Sequence, residues 1–150
     1  MDKELSKKKW SQPFNSPVEL GIRALLLLAE LHPMAIDIET MIYLDYVLTY
    51  SNDFNGPENL HPATPNRMAE IGLRKEKLSK TVRLLISRGL IDAKLSENGS
   101  EYQIGLGGSQ LLSCLTTPYY KKLWIRANWI GENINNLLSS KSQVFSLGVK

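Results

Sequence analysis

TPNRMAEIGLRKEKLSKTVRLLISRGLIDAKLSENGSEYQIGL, residues Thr64 to Leu106, holds the densest structural signal in the chain. Thr64-Pro65 opens a helix, Gly72 is expected to break it, and a second helix is expected from about Lys75 to Arg88. Gly89 stops that helix. The alternating segments Leu90 to Leu95 and Glu101 to Leu106 flank the turn Ser96-Glu97-Asn98-Gly99-Ser100, the pattern of a β-hairpin. Helix, tight turn, helix and hairpin in this order predict a winged helix-turn-helix core. The fold class expected is mainly α with a small β-hairpin, with extra N- and C-terminal helices around that core. Such a core can address DNA or form a subunit interface.

At about 100° per residue, Leu78, Val82, Leu85 and Ile86 gather on one face of the second helix. Glu76, Lys80, Arg83 and Ser87 fall opposite. A helix that reads DNA buries one side and offers phosphate- and base-seeking side chains from the other. The candidate DNA contacts are therefore Lys80 and Arg83, with Arg74, Lys75 and Lys77 near the helix start. Two features oppose the idea. Glu76 lies on the same face, and the wing tip carries Glu97 and Glu101 but no cation for a minor groove.

Upstream, Ser16-Pro17-Val18-Glu19 is a capping-box sequence with proline at the first helical position. Val18, Ile22, Leu25, Leu26 and Ala29 form an apolar stripe, widened by Leu20, Leu27, Leu28 and Leu31, and His32-Pro33 ends the helix. Asp37 caps a second helix from Ile38 to about Ser51. Arg23 and Asp45 are read as buried polar contacts that fix these two helices to each other, a pair costly to break. His61 is read with them as a structural polar residue. Asn52 to Ala63 is a long loop with two prolines. Downstream, Gly107-Gly108 is read as a hinge and Ser109 to Leu115 as a short helix. Thr117-Pro118 opens a helix to about Ser139, with Tyr120, Leu123, Ala127, Ile130, Ile134 and Leu137 as its core stripe. Tyr43, Tyr46, Trp124 and Trp129 are candidate interface anchors, because aromatic side chains are enriched at interface centres.

The chain reads as one domain over residues 14–140. A basic, disordered N-terminus (1–13) precedes it and a tail (141–150) follows. Its net charge of +3 conceals segregation: residues 16–63 carry seven acids against Arg23 alone, while residues 64–106 carry eight bases against five acids. The single Cys114 excludes an internal disulfide and is expected as a small buried apolar residue. No apolar run reaches the length of a membrane span, and no secretion signal opens the chain, so a cytoplasmic protein is expected. With His32 and His61 as the only histidines, there is no zinc spacing, and no phosphate loop or nucleophile elbow is present. Glu58 near His61 is the nearest approach to an acid–base pair. The expectation is a non-enzyme with no catalytic residue, cofactor or metal.

Several motifs together resemble a known family. They are Phe14-Asn15-Ser16-Pro17 with Glu19, Gly21, Arg23, Ala24 and Leu25, then Leu44-Asp45-Tyr46, then Gly56-Pro57-Glu58 with Leu60-His61-Pro62. Arg67, Ser87-Arg88-Gly89-Leu90, Pro118-Tyr119 and Trp129 continue the series. Their order and spacing resemble the small middle component of bacterial ABC-three-component defence operons, which is similar in logic to the accessory subunit of Lamassu-type anti-phage systems. The resemblance implies a non-catalytic subunit. Its implied partners are an SMC/Rad50-like ABC ATPase and an effector subunit of nuclease type, with double-stranded DNA as an auxiliary contact. The alternative is a stand-alone winged-helix transcriptional regulator, dimerising through the Pro118 to Ser139 helix.

Overall fold

The computed structural model describes residues 16–62 and 66–144. The expectations for the N-terminal 13 residues, for Thr64-Pro65 and for the tail beyond Val144 lie outside the described residues. The chain is mainly helical with one antiparallel hairpin: α1 (Pro17–Leu31), α2 (Ile38–Thr49), a 3-10 turn (Ser51–Phe54), α3 (Arg67–Ser87), β1 (Ile91–Ser96), β2 (Gly99–Ile104), α4 (Leu106–Ser113), α5 (Pro118–Glu132) and α6 (Ile134–Ser139).

The Ser16 side chain accepts from the Glu19 amide at 3.2 Å and Pro17 occupies the first helical position, so α1 starts where its cap dictates. Asp37 caps α2 in the same way, accepting from the Thr40 amide at 2.8 Å. Both helices are central. Every residue from Thr40 to Thr49 is buried, and α1 buries Glu19 to Leu28 apart from Ile22, which is half-buried. The apolar stripe read on α1 is turned in part: Val18 and Ala29 face solvent, while Leu20, Ala24, Leu27, Leu28 and Leu31 fill the core. α3 and α5 each pack on both α1 and α2 and have little contact with one another, so the α1–α2 pair lies between them.

The tight turn expected at Gly72 is absent. α3 runs unbroken from Arg67 to Ser87, capped by Asn66, whose side chain accepts from the Ala69 amide at 3.0 Å. Glycine costs only about 1 kcal/mol in a helix interior, and the burial of Arg74, Leu78, Thr81 and Val82 along one flank outweighs it. Gly89, at φ +74°, then stops the helix, and a two-residue turn at Glu97-Asn98 joins β1 to β2 in the register Ile91↔Ile104 to Ser96↔Gly99. Ile36, between α1 and α2, forms an isolated antiparallel bridge with Tyr102 of β2. Its amide donates to the Tyr102 carbonyl at 3.1 Å and its carbonyl accepts from the Tyr102 amide at 2.8 Å.

Gly107-Gly108 is not a hinge. The pair lies in the first turn of α4, pressed so closely on Leu90 that a Cβ on Gly108 would sit 2.4 Å from the Leu90 carbonyl oxygen. The long C-terminal helix is split at Asn133, whose side-chain amide donates to the Trp129 carbonyl at 2.9 Å. Cys114 is exposed, ending α4, rather than buried.

A helix continuous through Gly72 makes a direct forecast. Gly72 is exposed, with open space where a Cβ would lie. Gly72→Ala should therefore raise stability by about 0.5–1 kcal/mol and the melting temperature by a few degrees. A lowered melting temperature would mean that the chain turns at this position.

Candidate functional site

Burying α2 on every side leaves Asp45 fully enclosed, and the surrounding helices supply its counter-charges. Asp45 Oδ1 accepts from Arg23 Nε at 2.7 Å, and Oδ2 from Arg23 Nη2 at 3.1 Å and Arg74 Nη1 at 2.8 Å. Arg74 Nη1 also donates to Thr49 Oγ1 at 3.1 Å, and its Nη2 to Glu70 Oε1 at 2.8 Å. The Tyr50 hydroxyl donates to the same Glu70 carboxylate at 2.8 Å. On the other side, Arg23 Nη1 lies 3.4 Å from Glu19, which also accepts from the Tyr119 hydroxyl. Glu19 thus spends its carboxylate on α5 and Arg23. One polar cluster ties α1, α2, α3 and α5 together.

The electrostatics follow from burial and pairing. Burial alone would raise the Asp45 carboxyl, but the Arg23 and Arg74 guanidiniums outweigh it and hold it below the usual carboxylate range. Burial opposes the charge on Arg23, and Asp45 more than restores it. Glu19 is raised, mainly by burial. His61 is buried beside the cluster, its ring edge-on to Tyr50 at 6.0 Å. Burial and then the two guanidiniums push its imidazole down to about 4, so it is neutral near pH 7. The carboxylates of Asp45, Glu70 and Glu19 each face a guanidinium, a phenol or both, and the cluster therefore joins helices. The Glu58 side chain is exposed, on the solvent side of the loop that carries His61.

A second set of contacts fixes that loop to α5. Arg126, from the buried side of α5, donates through Nε at 2.9 Å and Nη2 at 2.6 Å to the Glu58 carbonyl. Ser51 Oγ donates to the Pro57 carbonyl at 2.8 Å, and the Leu60 amide returns to the Thr49 carbonyl at 3.0 Å. The Trp129 indole packs against Gly56, where a Cβ would come 2.5 Å from the ring.

This arrangement corrects part of the sequence reading. Arg74 is only 3 % exposed and holds Asp45 and Glu70, so it is not available to DNA. Tyr43 and Tyr46 are core residues and not interface anchors. The Tyr43 hydroxyl donates to the Leu137 carbonyl at 2.6 Å, and the Tyr46 ring lies 5.7 Å from the Arg74 guanidinium carbon. Trp129 is half-buried over Gly56, whereas Trp124 is 48 % exposed on α5 beside Ile125. Lys75, Lys77, Lys80 and Arg83 all project from α3 into solvent, Lys80 within 3.6 Å of Glu76. The structural roles of Glu70, Arg74 and Arg126 were not read from sequence. Arg74 had a signal: in an unbroken helix it lies one turn before Leu78 on the same buried flank.

Residues 13–146 match the family described as ABC-three component (ABC-3C) system Middle Component 2, and the chain belongs to that family. No curated protein and no solved structure matches it. Among the described residues, no helix is long and apolar enough to cross a membrane, and no group of three or more His, Cys, Asp or Glu is placed to hold a metal ion.

Three measurements check this geometry. Asp45→Asn leaves two buried guanidiniums without their shared carboxylate, and should cost about 3–5 kcal/mol and lower the melting temperature by about 10 °C. Acid sensitivity should trace to His61. Its folded pKa, about 4, lies below its ordinary 6.5, so the unfolded chain takes up the proton first and stability falls as pH drops through that window. Denaturant unfolding at pH 7 and pH 5 should differ by about 2 kcal/mol from His61, offset in part by the oppositely shifted Glu19. His61→Gln should remove that His61 share of the difference. Finally, Gly56→Ala should cost about 1–3 kcal/mol by driving a methyl into the Trp129 ring, and Trp129→Leu in the same chain should recover part of the loss.

Proposed function

We propose that this chain is a non-catalytic accessory subunit of an antiviral or antiplasmid defence complex, acting in the cytoplasm and related in logic to Lamassu-type systems. It bridges an SMC/Rad50-like ABC ATPase and a nuclease-type effector and holds the effector quiet. Membership of the middle-component family supports the accessory role. One structural observation carries the bridging role: the buried α1–α2 pair separates two outer helix faces, each mixing exposed apolar side chains with lysines. α5 offers Trp124 and Ile125 beside Lys121 and Lys122, and α3 offers Leu73 and Leu84 beside Lys77 and Lys80. Exposed large apolar side chains on a helix face favour protein contact.

The order α1, Ile36 bridge, α2, α3 and hairpin supports a winged-helix reading with different members from those expected in sequence. On that reading α2 and α3 would be the helix-turn-helix pair, with the pinned loop between them, and α3 would be the reading helix. That observation favours a second function, DNA contact through Lys75, Lys77, Lys80 and Arg83. The exposed carboxylates of Asp92 and Glu97 on the wing oppose it.

Co-expression with the neighbouring operon genes should give a complex containing the ATPase and the effector. Trp124→Asp with Ile125→Asp should release one of the two while retaining the other. Components that purify separately, or a homodimer of this chain that shifts its own promoter, would overturn the bridging role. DNA contact predicts that Lys80→Glu with Arg83→Glu lowers duplex affinity and its salt slope, whereas unchanged values would assign these charges to solvent or to a protein partner.

A further inference from the structure

We infer that the exposed flank of α3 receives a single acidic amphipathic helix of a partner protein, laid along Leu73, Lys77, Lys80 and Leu84. The inference rests on the docking-subunit reading above and names the chemistry of one of its two partners.

The four residues follow one another at intervals of four, three and four. In a helix of about 100° per residue they fall within roughly 60° of one another, and they span about 16 Å. This spacing is the seam of a two-helix packing, in which side chains at alternating four- and three-residue steps meet a second helix. Leu73 is 57 % exposed and Leu84 50 %, so both ends of the seam hold apolar surface that nothing in the described chain covers. The neighbouring flank of the same helix, Arg74, Leu78, Thr81 and Val82, is already buried against α1 and α2. α3 therefore has two contact flanks, one of them vacant.

Charge selects the occupant. Between the leucines stand Lys77 and Lys80, and Lys75, Arg83 and Arg88 are exposed on the same helix and its cap, against Glu76 as the exposed acid. A second helix must then carry apolar residues at its outer layers and carboxylates at its middle layers. A second copy of this chain does not fit. Antiparallel self-pairing would set Lys77 against Lys80 of the copy, and parallel pairing would set like against like. Duplex DNA fits less well. Leucines at both ends of the strip offer phosphates nothing, and the exposed Asp92 and Glu97 of the adjoining wing repel them.

The test uses the full chain in the complex purified with its operon neighbours, with a photo-crosslinking amino acid placed at Leu73 or Leu84. Both positions should crosslink to the same partner polypeptide, at sites separated by three helical turns on one helix. Lys77→Glu with Lys80→Glu should weaken binding of that partner by roughly tenfold or more, and lysines in place of the partner's facing carboxylates should restore it. Leu73→Ser with Leu84→Ser should weaken it similarly. All four sites are exposed, so melting temperatures should stay near that of the unsubstituted chain, which separates lost docking from lost folding. Crosslinks to DNA, to a second copy or to two different polypeptides would overturn the inference, as would full binding by both double variants. If the unsubstituted chain assembles while the α3 variants also assemble, this inference alone fails. If the unsubstituted chain captures neither component, the docking-subunit reading fails with it.

Discussion

A carboxylate with no route to water organises this protein. Asp45 sits on a helix buried on every side, where an unpaired charge would cost several kcal/mol or lose its ionisation. Arg23 from α1 and Arg74 from α3 reach it from different helices. Two guanidiniums around one carboxylate leave an excess positive charge, and Glu70 and Glu19 meet it at the cluster's two ends. Each added charge is the electrostatic answer to the one before it. Because the members lie on separate helices, satisfying them fixes the angle and depth at which α1, α2 and α3 cross. Apolar packing alone would tolerate small slides; a bidentate Arg–carboxylate contact does not.

That constraint extends to α5 through two routes with different chemistry. Tyr119 reaches the cluster directly by donating to Glu19, while Arg126 and Trp129 grip the loop that follows α2. The loop carries His61 back to the cluster, so it is a fixed strut between the charged centre and α5. A stretch of this length between two helices is ordinarily a site of mobility. Here its backbone carbonyls at Pro57 and Glu58 are occupied by Ser51 and Arg126.

How much of this could be read beforehand depended on whether a residue's signal was local. Arg23 and Asp45 stand out as charges within apolar helices, and Ser16-Pro17 and Asp37 mark helix starts by their own chemistry. The hairpin was legible because turn residues and alternation are also local. Gly72 misled for a physical reason. A glycine's cost in a helix is small, and the decision to continue lay with Leu78, Val82 and Arg74 finding partners on α1 and α2, distant in sequence. A break at Gly72 sets Arg74 just before a new helix and makes its guanidinium a candidate for DNA phosphates. An unbroken helix puts it on the Leu78 flank. Tyr43 and Tyr46 went astray similarly, because nothing near them in sequence shows that α2 is enclosed.

The same separation of inner from outer charges bears on what the molecule presents to others. The acids of α1 and α2 that look like an acidic surface in sequence are partly consumed inside: Asp45 and Glu19 are buried, and Asp37 caps its helix. Cations divide differently. Arginines supply the buried contacts at positions 23, 74 and 126, where planar, multiply donating groups are needed, whereas the exposed cations of α3 and α5 are mostly lysines. Lysine is a flexible, strongly hydrated charge suited to a surface that meets its counterpart only on assembly. Among the described side chains of α3 and its cap, Arg83 and Arg88 are the exposed exceptions, both toward the C-terminal end, near the hairpin. A rigid interior built on arginine and an outer shell built on lysine and isolated apolar residues fit a subunit whose shape is set before its partners arrive. Under the proposed docking role, partners would meet a pair of preformed helix faces held at a fixed separation, so the ordering cost of association would be low and specificity would fall to the side chains on those faces.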